Sequence, residues 1–253
     1  MTRFSHAVTE FWKQPFAGRL TYSDQRLSLI VNPTLDEGER VTVLRTASDS
    51  HTAIALSAEV ADALECDGTR TDSSPLDEAR VRSALAEAGV QLHGADNLYY
   101  FPEGYEAEAE TASAPGIVRQ LTAGDRELFE AFEARASEQD RDDAQVDLED
   151  WAAFGVIVED RLVSAASTYP WRGSTLADFG VLTLTDERGH GYGRRLVRAM
   201  AGHASDLGLE LQYRCQVDNA ASNALAAAAG LRLFGQWEVP TPPRDDDADS
   251  SAD

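Results

Sequence analysis

Cysteine, lysine and long apolar runs are scarce in this chain of 253 residues. The two cysteines, Cys66 and Cys215, stand far apart in no Cys-x-x-Cys or metal-like spacing. That leaves out a disulfide scaffold and a zinc site, and it fits a reducing compartment. No stretch approaches the roughly 20 apolar residues of a membrane helix. The opening MTRFSHAVTEFWKQ has no apolar signal core, so we expect a cytoplasmic protein without a membrane partner. Lys13 is the only lysine, the remaining cations being arginine. GC-rich coding and adaptation to high salt both produce such a bias. Positive charge is short overall: 44 acidic against 22 basic residues give a net charge of -22. A field of that sign repels nucleic acid and anionic lipid, which excludes both as main partners.

What remains is a chain with 43% hydrophobic residues, enough for one large or two modest domains with real cores. The stretch EGYEAEAETASAPG, 103–116, is small, acidic and without apolar periodicity, and reads as a linker. Residues 240–253, PTPPRDDDADSSAD, read as a disordered acidic tail. Residues 1–102 read as a smaller α+β domain. Strands are expected at Leu27–Val31, Val41–Leu44 and Ala53–Leu56, and helices at Ala58–Glu65 and Leu76–Ala88. His51 and His93 are isolated there and read as surface or packing residues.

Residues 117–239 read more sharply, in the order β-α-β-β-β-α-β-α-β. Ile117–Leu121 is a strand, and Thr122 with Asp125 resembles a capping box for a helix carrying Leu128, Phe129 and Phe132. Phe154–Val158 and Leu162–Tyr169 flank a hairpin turn at Glu159-Asp160-Arg161. Phe179–Leu184 leads into a turn, and a helix follows with Leu196, Met200, Ala204 and Leu207 on one face. Leu209–Tyr213, Ala220–Ala229 and Leu231–Val239 complete the series as strand, helix and strand.

The turn between strand and helix is the most informative stretch. Arg188-Gly189-His190-Gly191-Tyr192-Gly193-Arg194-Arg195 packs three glycines and three arginines together, against the acidic trend of the chain. Glycine lets successive N–H groups converge, and the helix that starts there offers free N–H groups and its positive dipole end to an anion such as a pyrophosphate. A nucleotide P-loop requires Gly-Lys-Ser/Thr, but Arg194-Arg195 follows Gly193. A dinucleotide fingerprint from Gly189 requires Gly or Ala at 194, which is arginine.

Arg188, Gly191 and Gly193 resemble the Arg/Gln-x-x-Gly-x-Gly/Ala signature of the GNAT superfamily of acyl-CoA-dependent N-acyltransferases. About thirty residues on, Asn219, Ser222, Ala226 and Gly230 resemble the family's second motif. The resemblance covers about 117–239 and implies a mixed α/β fold of the α+β type, a central mixed sheet flanked by helices. It implies acetyl-CoA as co-substrate, held by backbone groups of Val181, Leu182 and Thr183 and by the turn residues Arg188, Gly189, His190, Gly191, Tyr192, Gly193 and Arg194. Asn219 and Ser222 would meet the cofactor arm, Asn219 also serving as a helix N-cap. The implied reaction moves an acetyl group to a primary amine of a small molecule or peptide.

Amine attack on a thioester poses two proton tasks. Many members carry the acid as a tyrosine where this chain has Ala226. Tyr192, Tyr213, Ser222 and Cys215 lie nearby in sequence, none of them in the matching place. Asp178 is the candidate base, with a solvated strand-end carboxylate as the alternative. His190 reads as part of the phosphate turn and His203 as a helix surface residue. Glu138–Asp150 falls where the family places its acceptor-binding helices and reads as a solvated acidic face. A non-catalytic acyl-CoA sensor is the alternative function, no metal is expected, and a homodimer through edge strands fits the fold.

Overall fold

The computed structural model describes residues 2–64, 76–105 and 116–242. In chain order the elements are helix α1 His6–Lys13, strands β1 Arg19–Ser23, β2 Leu27–Val31, β3 Val41–Thr46 and β4 Thr52–Leu56, helices α2 Ala58–Ala63 and α3 Glu78–Glu87, and strands β5 Asp96–Tyr100 and β6 Ile117–Leu121. Then come helices α4 Arg126–Glu133 and α5 Glu138–Ala144, strands β7 Ala152–Val158, β8 Arg161–Pro170 and β9 Leu176–Thr183, helix α6 Tyr192–Asp206, strand β10 Glu210–Gln216, helix α7 Ala220–Ala229 and strand β11 Arg232–Glu238.

Two compact units are present, and they are not the two halves in sequence order: one comprises Met1–Phe11 with Leu98–Leu233, the other Trp12–Asn97 with Phe234–Asp253. The physical reason lies in what the chain ends pack against. Trp12 packs edge-on against Trp237 and tilted against Phe234, with ring centroids 5.9 and 6.4 Å apart. Arg82 of α3 clasps Glu238 with two bonds of 2.9 and 2.6 Å. At the other end, Phe4 packs edge-on against Tyr100 at 6.3 Å. The linker read at 103–116 and the tail at 240–253 fall largely outside the described residues, as do Glu65 and Cys66.

In the Trp12–Asn97 unit the strands lie in the order β1-β2-β4-β3-β11. β2 and β4 pair in parallel, whereas β3 pairs antiparallel with both β4 and β11. Leu29, Val41, Ile54 and Leu56 are buried with Val81 and Leu85 of α3, a period-2 pattern meeting a helical one. The other unit orders its strands β5-β10-β9-β8-β7-β6. Here α6 and α7 bring Leu196, Met200 and Ala226 onto the face bearing Phe179 and Tyr213. The opposite face buries Leu182 and Leu184 against Phe129 and Phe132 of α4. Residues 178, 180 and 182 of β9 therefore point to the α4 side and 179, 181 and 183 to the α6 side.

The expected strand and helix order over 117–239 is present, with α5 as an addition. The hairpin turn at Glu159-Asp160 has both residues at positive φ, 47° and 60°, as a two-residue loop requires. Thr122 and Asp125 form both bonds of the capping box at the single turn Ala123–Asp125 that leads into α4. Asp125 also accepts two bonds from Arg119, at 3.0 and 2.5 Å. The Arg119 guanidinium, followed by the Thr122 amide, holds the Asp125 carboxyl well below the usual carboxylate range. A folded-state pKa depressed in this way stabilises the fold above the unfolded value of about 3.9, and that contribution is lost as pH falls through the folded value. Asp125→Ala should therefore cost about 1–2 kcal/mol at neutral pH. Urea unfolding at several pH values should show the gap from the parent protein narrowing below about pH 4; a gap independent of pH would contradict this account.

Candidate functional site

Strands β9 and β10 pair in parallel only from Leu176–Glu210 to Phe179–Tyr213. Beyond that level β9 continues through Gly180 to Thr183 on its β8 partner alone, while β10 runs on through Arg214 and Cys215. The two strands part in a fork. Val181, Leu182 and Thr183 all lie past the last β10 pair, with Leu182 buried on the α4 side and Val181 packed on the α6 side. Two of their carbonyls are engaged: Ser164 Oγ donates to Leu182 O at 3.0 Å, and Arg188 Nε to Thr183 O at 3.2 Å.

The glycine turn follows directly. Gly189 and Gly191 have φ of 85° and 78°, where a side chain is strained. Nothing lies within 4 Å of where a Gly189 Cβ would stand, so the turn faces open space. Gly193 serves a different purpose, because a Cβ there would meet Leu225 at 3.3 Å and Thr183 Oγ1 at 3.6 Å. It lets the helix start approach β9 and α7. Gly191 is the N-cap of the 15-residue α6, and no side chain caps that end. The first N–H groups of a helix lack intrahelical acceptors and attract anions.

Arg194 is exposed and its Nη2 lies 3.6 Å from the position of a Gly191 Cβ, placing a cation over the turn. His190 donates from Nδ1 to Glu187 O at 3.1 Å and stacks on the Tyr192 ring at 5.4 Å. The Tyr192 side chain is 3% exposed and belongs to the core, which leaves its backbone N–H, the group expected to serve the cofactor, at the turn. Arg188 is not a free cation, since Nη2 bonds Asp140 Oδ1 of α5 at 2.8 Å.

Asp178 also departs from its expected role. It is 4% exposed, and its carboxylate accepts from Gln212 Nε2 at 2.9 Å, Tyr169 Oη at 3.1 Å and Arg214 Nη2 at 2.8 Å. The Arg214 guanidinium lies 4.0 Å above the Trp171 ring, which fixes its plane. A carboxylate engaged by a cation and two neutral donors anchors the strands around it. It is no solvated strand-end group.

On the α4 side of the fork, Ser167 of β8 stands opposite Gly180 in register. Its hydroxyl donates to Asp150 Oδ2 at 2.5 Å and accepts the Asp147 N–H at 2.9 Å. Burial pushes the Asp150 carboxyl up, with the Ser167 bond opposing. On the α6 side, Asn219 caps α7 as expected, its Oδ1 accepting the Ser222 N–H at 3.0 Å. Asn223, which sequence reasoning passed over, organises the same turn. Its Nδ2 donates to Val217 O and Asn219 O at 3.0 and 2.8 Å, and its Oδ1 accepts from Tyr99 at 2.7 Å and from Cys215 Sγ at 3.5 Å. A second Asn within the first turn after an N-cap was the available signal. Tyr213 stacks on Phe179 at 4.7 Å and bonds Ser222, and burial pushes its phenol up, keeping it protonated. His203 is held between Trp151 and Phe154, at 5.5 and 5.4 Å, rather than on a bare helix surface.

A mixed sheet flanked by helices, forked beside an uncapped helix start, is the layout of a GNAT-type fold. Residues 124–231 match the family model described as "Acetyltransferase (GNAT) family", so this part of the chain is a GNAT domain. Among solved structures it is similar to an acetyltransferase from the GNAT family of Colwellia psychrerythraea, at 16% identity over 64% of this chain and 62% of that one, TM-score 0.45. It is also similar to a GCN5-related N-acetyltransferase from Sphaerobacter thermophilus, at 12% identity over 64% of this chain and 56% of that one, TM-score 0.47. The match thus spans less than two thirds of those two chains. A functionally unknown conserved protein from Staphylococcus epidermidis ATCC 12228 matches over 91% of this chain and 96% of its own, at 13% identity and TM-score 0.47. No curated protein matches. Among the described residues no helix is long and apolar enough to cross a membrane.

The anchor role of Asp178 is open to a direct check. Asp178→Asn should lower the free energy of unfolding in urea by roughly 2–3 kcal/mol, because it leaves Arg214 half-buried without its counter-ion. A general base would behave differently, with stability unchanged and turnover alone reduced.

Proposed function

We propose that the protein is an acetyl-CoA-dependent N-acetyltransferase acting on a primary amine of a small molecule or peptide. The observation that carries this reading is the uncapped start of α6 behind two left-handed glycines, set beside the fork of β9 and β10. The turn fits a pyrophosphate: Gly189 faces open space, no side chain caps the start of α6, and Arg194 lies over Gly191. Val181 and Thr183 would offer β9 backbone to the cofactor arm past the last β10 pair. The cofactor supplies an acyl thioester, which an amine attacks at the carbonyl with loss of a thiol.

This chain's own residues would then position and move protons. Asn219 and Asn223 fix the α7 turn that faces the parted strands. Asp150, bonded to Ser167 across from Gly180, replaces Asp178 as the candidate acceptor of the amine proton. Tyr213, stacked on Phe179 at the fork, keeps a protonated phenol because burial pushes its pKa up. A second reading, a non-catalytic acyl-CoA sensor, is favoured by one pair of observations: Ala226 is fully buried alanine, and the Asp178 carboxylate is consumed by Arg214.

Calorimetry with acetyl-CoA tests the common ground of both readings, and thiol release across a panel of amines separates them. Gly191→Val places a branched side chain at φ 78° in the turn. It should abolish acetyl-CoA binding while the folded far-ultraviolet spectrum persists. Unaltered affinity in that variant would overturn the placement of the cofactor.

A further inference from the structure

The residues 135–150 form a strap tied to the same elements that build the cofactor turn and the fork. Arg135 bonds Asp186 at 2.8 Å, just ahead of the turn. Asp140 of α5 bonds Arg188 at 2.8 Å, on the turn itself. At the end of α5, the Ala144 carbonyl oxygen lies 1.9 Å from where a Cβ on Gly180 would stand. Only glycine admits that approach, and Gly180 is the first β9 residue past the last β10 pair. Asp147 N–H and Asp150 then close the strap on Ser167, the β8 partner of Gly180.

We propose that the Asp140–Arg188 ion pair is a latch that holds α5 over the α4-side face of the fork, and that a polyanion arriving at the glycine turn releases it. This rests on the reading of the turn as a pyrophosphate site. Arg188 is fixed at both ends, with Nε on Thr183 O and Nη2 on Asp140, so its guanidinium cannot serve an arriving anion fully while Asp140 keeps it. Both partners are partly exposed, at 48% and 29%, where water and ions reach the pair. A pair of this kind contributes little, and two or more phosphate charges outcompete one carboxylate for a guanidinium. Once Arg188 has turned to the phosphates, Asp140 stands beside like charge, and Asp186 does too. Repulsion then favours movement of α5 away from the turn, and its carbonyl end leaves Gly180. The consequence is order: the cofactor binds first and uncovers the face from which an acceptor would approach.

Asp140→Asn removes the latch, and Asp142→Asn removes the same charge from the same helix as a control. Acetyl-CoA affinity should rise about two- to five-fold in Asp140→Asn and stay near the parent value in Asp142→Asn. Amide exchange of residues 138–144 without ligand should be faster in Asp140→Asn than in the parent. Adding acetyl-CoA should accelerate that exchange in the parent and leave Asp140→Asn unchanged. If the parent binds acetyl-CoA but Asp140→Asn binds it equally or more weakly, Asp140 orients Arg188 and the latch is refuted. Slower exchange of α5 on adding acetyl-CoA refutes it as well. A parent protein that binds no acetyl-CoA at millimolar concentration overturns instead the reading of the turn, and the cofactor-driven release falls with it.

Discussion

The fork in the site-bearing domain is built around the buried carboxylate of Asp178. Asp178 stands at the next-to-last level at which β9 and β10 pair, and Arg214 is the first β10 residue beyond the parting. Their ion pair runs diagonally across the fork, with Gln212 and Tyr169 completing the carboxylate shell. Two parallel strands tend to go on pairing, since each further ladder bond satisfies a backbone group. Here the chain is stopped from doing so by side chains of two kinds. Arg214 is drawn back to Asp178 and stacked on Trp171, while the Phe179–Tyr213 stack fills the other face at the vertex. A carboxylate whose oxygens are all engaged is well suited to this.

Everything past the vertex follows from leaving β9 half-paired. The strand continues with one open side to Thr183, and the turn after it must reverse direction within a few residues while exposing N–H groups. Glycine at 189 and 191 meets that demand through positive φ, and glycine at 193 through close contact with Leu225 and Thr183. Three glycines in one motif thus answer two separate physical constraints. Tyr192, between them, turns inward and ties the turn to the α6 core, so the cradle is anchored by an aromatic side chain instead of by a cap.

Much of this was legible in local sequence. The bounds of α7 follow from Asn219 as N-cap and Gly230 at φ 101°, and the β7–β8 hairpin from two residues that tolerate positive φ. Strands β1 and β5 were not legible: RLTYS lacks clean alternation although its partner β2 is the next strand, and DNLYY gains its pairing from β10, far along the chain. The grouping of Trp12 with Phe234 and Trp237 is also a long-range packing effect that reading in sequence order misses. At the site, the glycine turn has a local signature but its electrostatics do not. Asp178 meets Arg214 across 36 residues and Arg188 meets Asp140 across 48, and no spacing rule announces either pair. The same distance explains why Asp178 read as a free carboxylate and Arg188 as a free cation.

The acidity of the chain gives the Arg188–Asp140 pair a further meaning. With a net charge of -22, the surface repels anions as a whole, and a basic turn on it runs against that field. Asp140 already occupies Arg188, so a singly charged anion gains little by exchanging one carboxylate for another. An anion with several closely spaced charges gains more, since it meets the α6 N–H groups, Arg194 and Arg188 together. The internal carboxylate therefore sets a threshold that sorts ligands by charge density. In the proposed latch the same helix carries the carbonyl end that covers Gly180, so binding of a polyanion and exposure of the fork would be a single event.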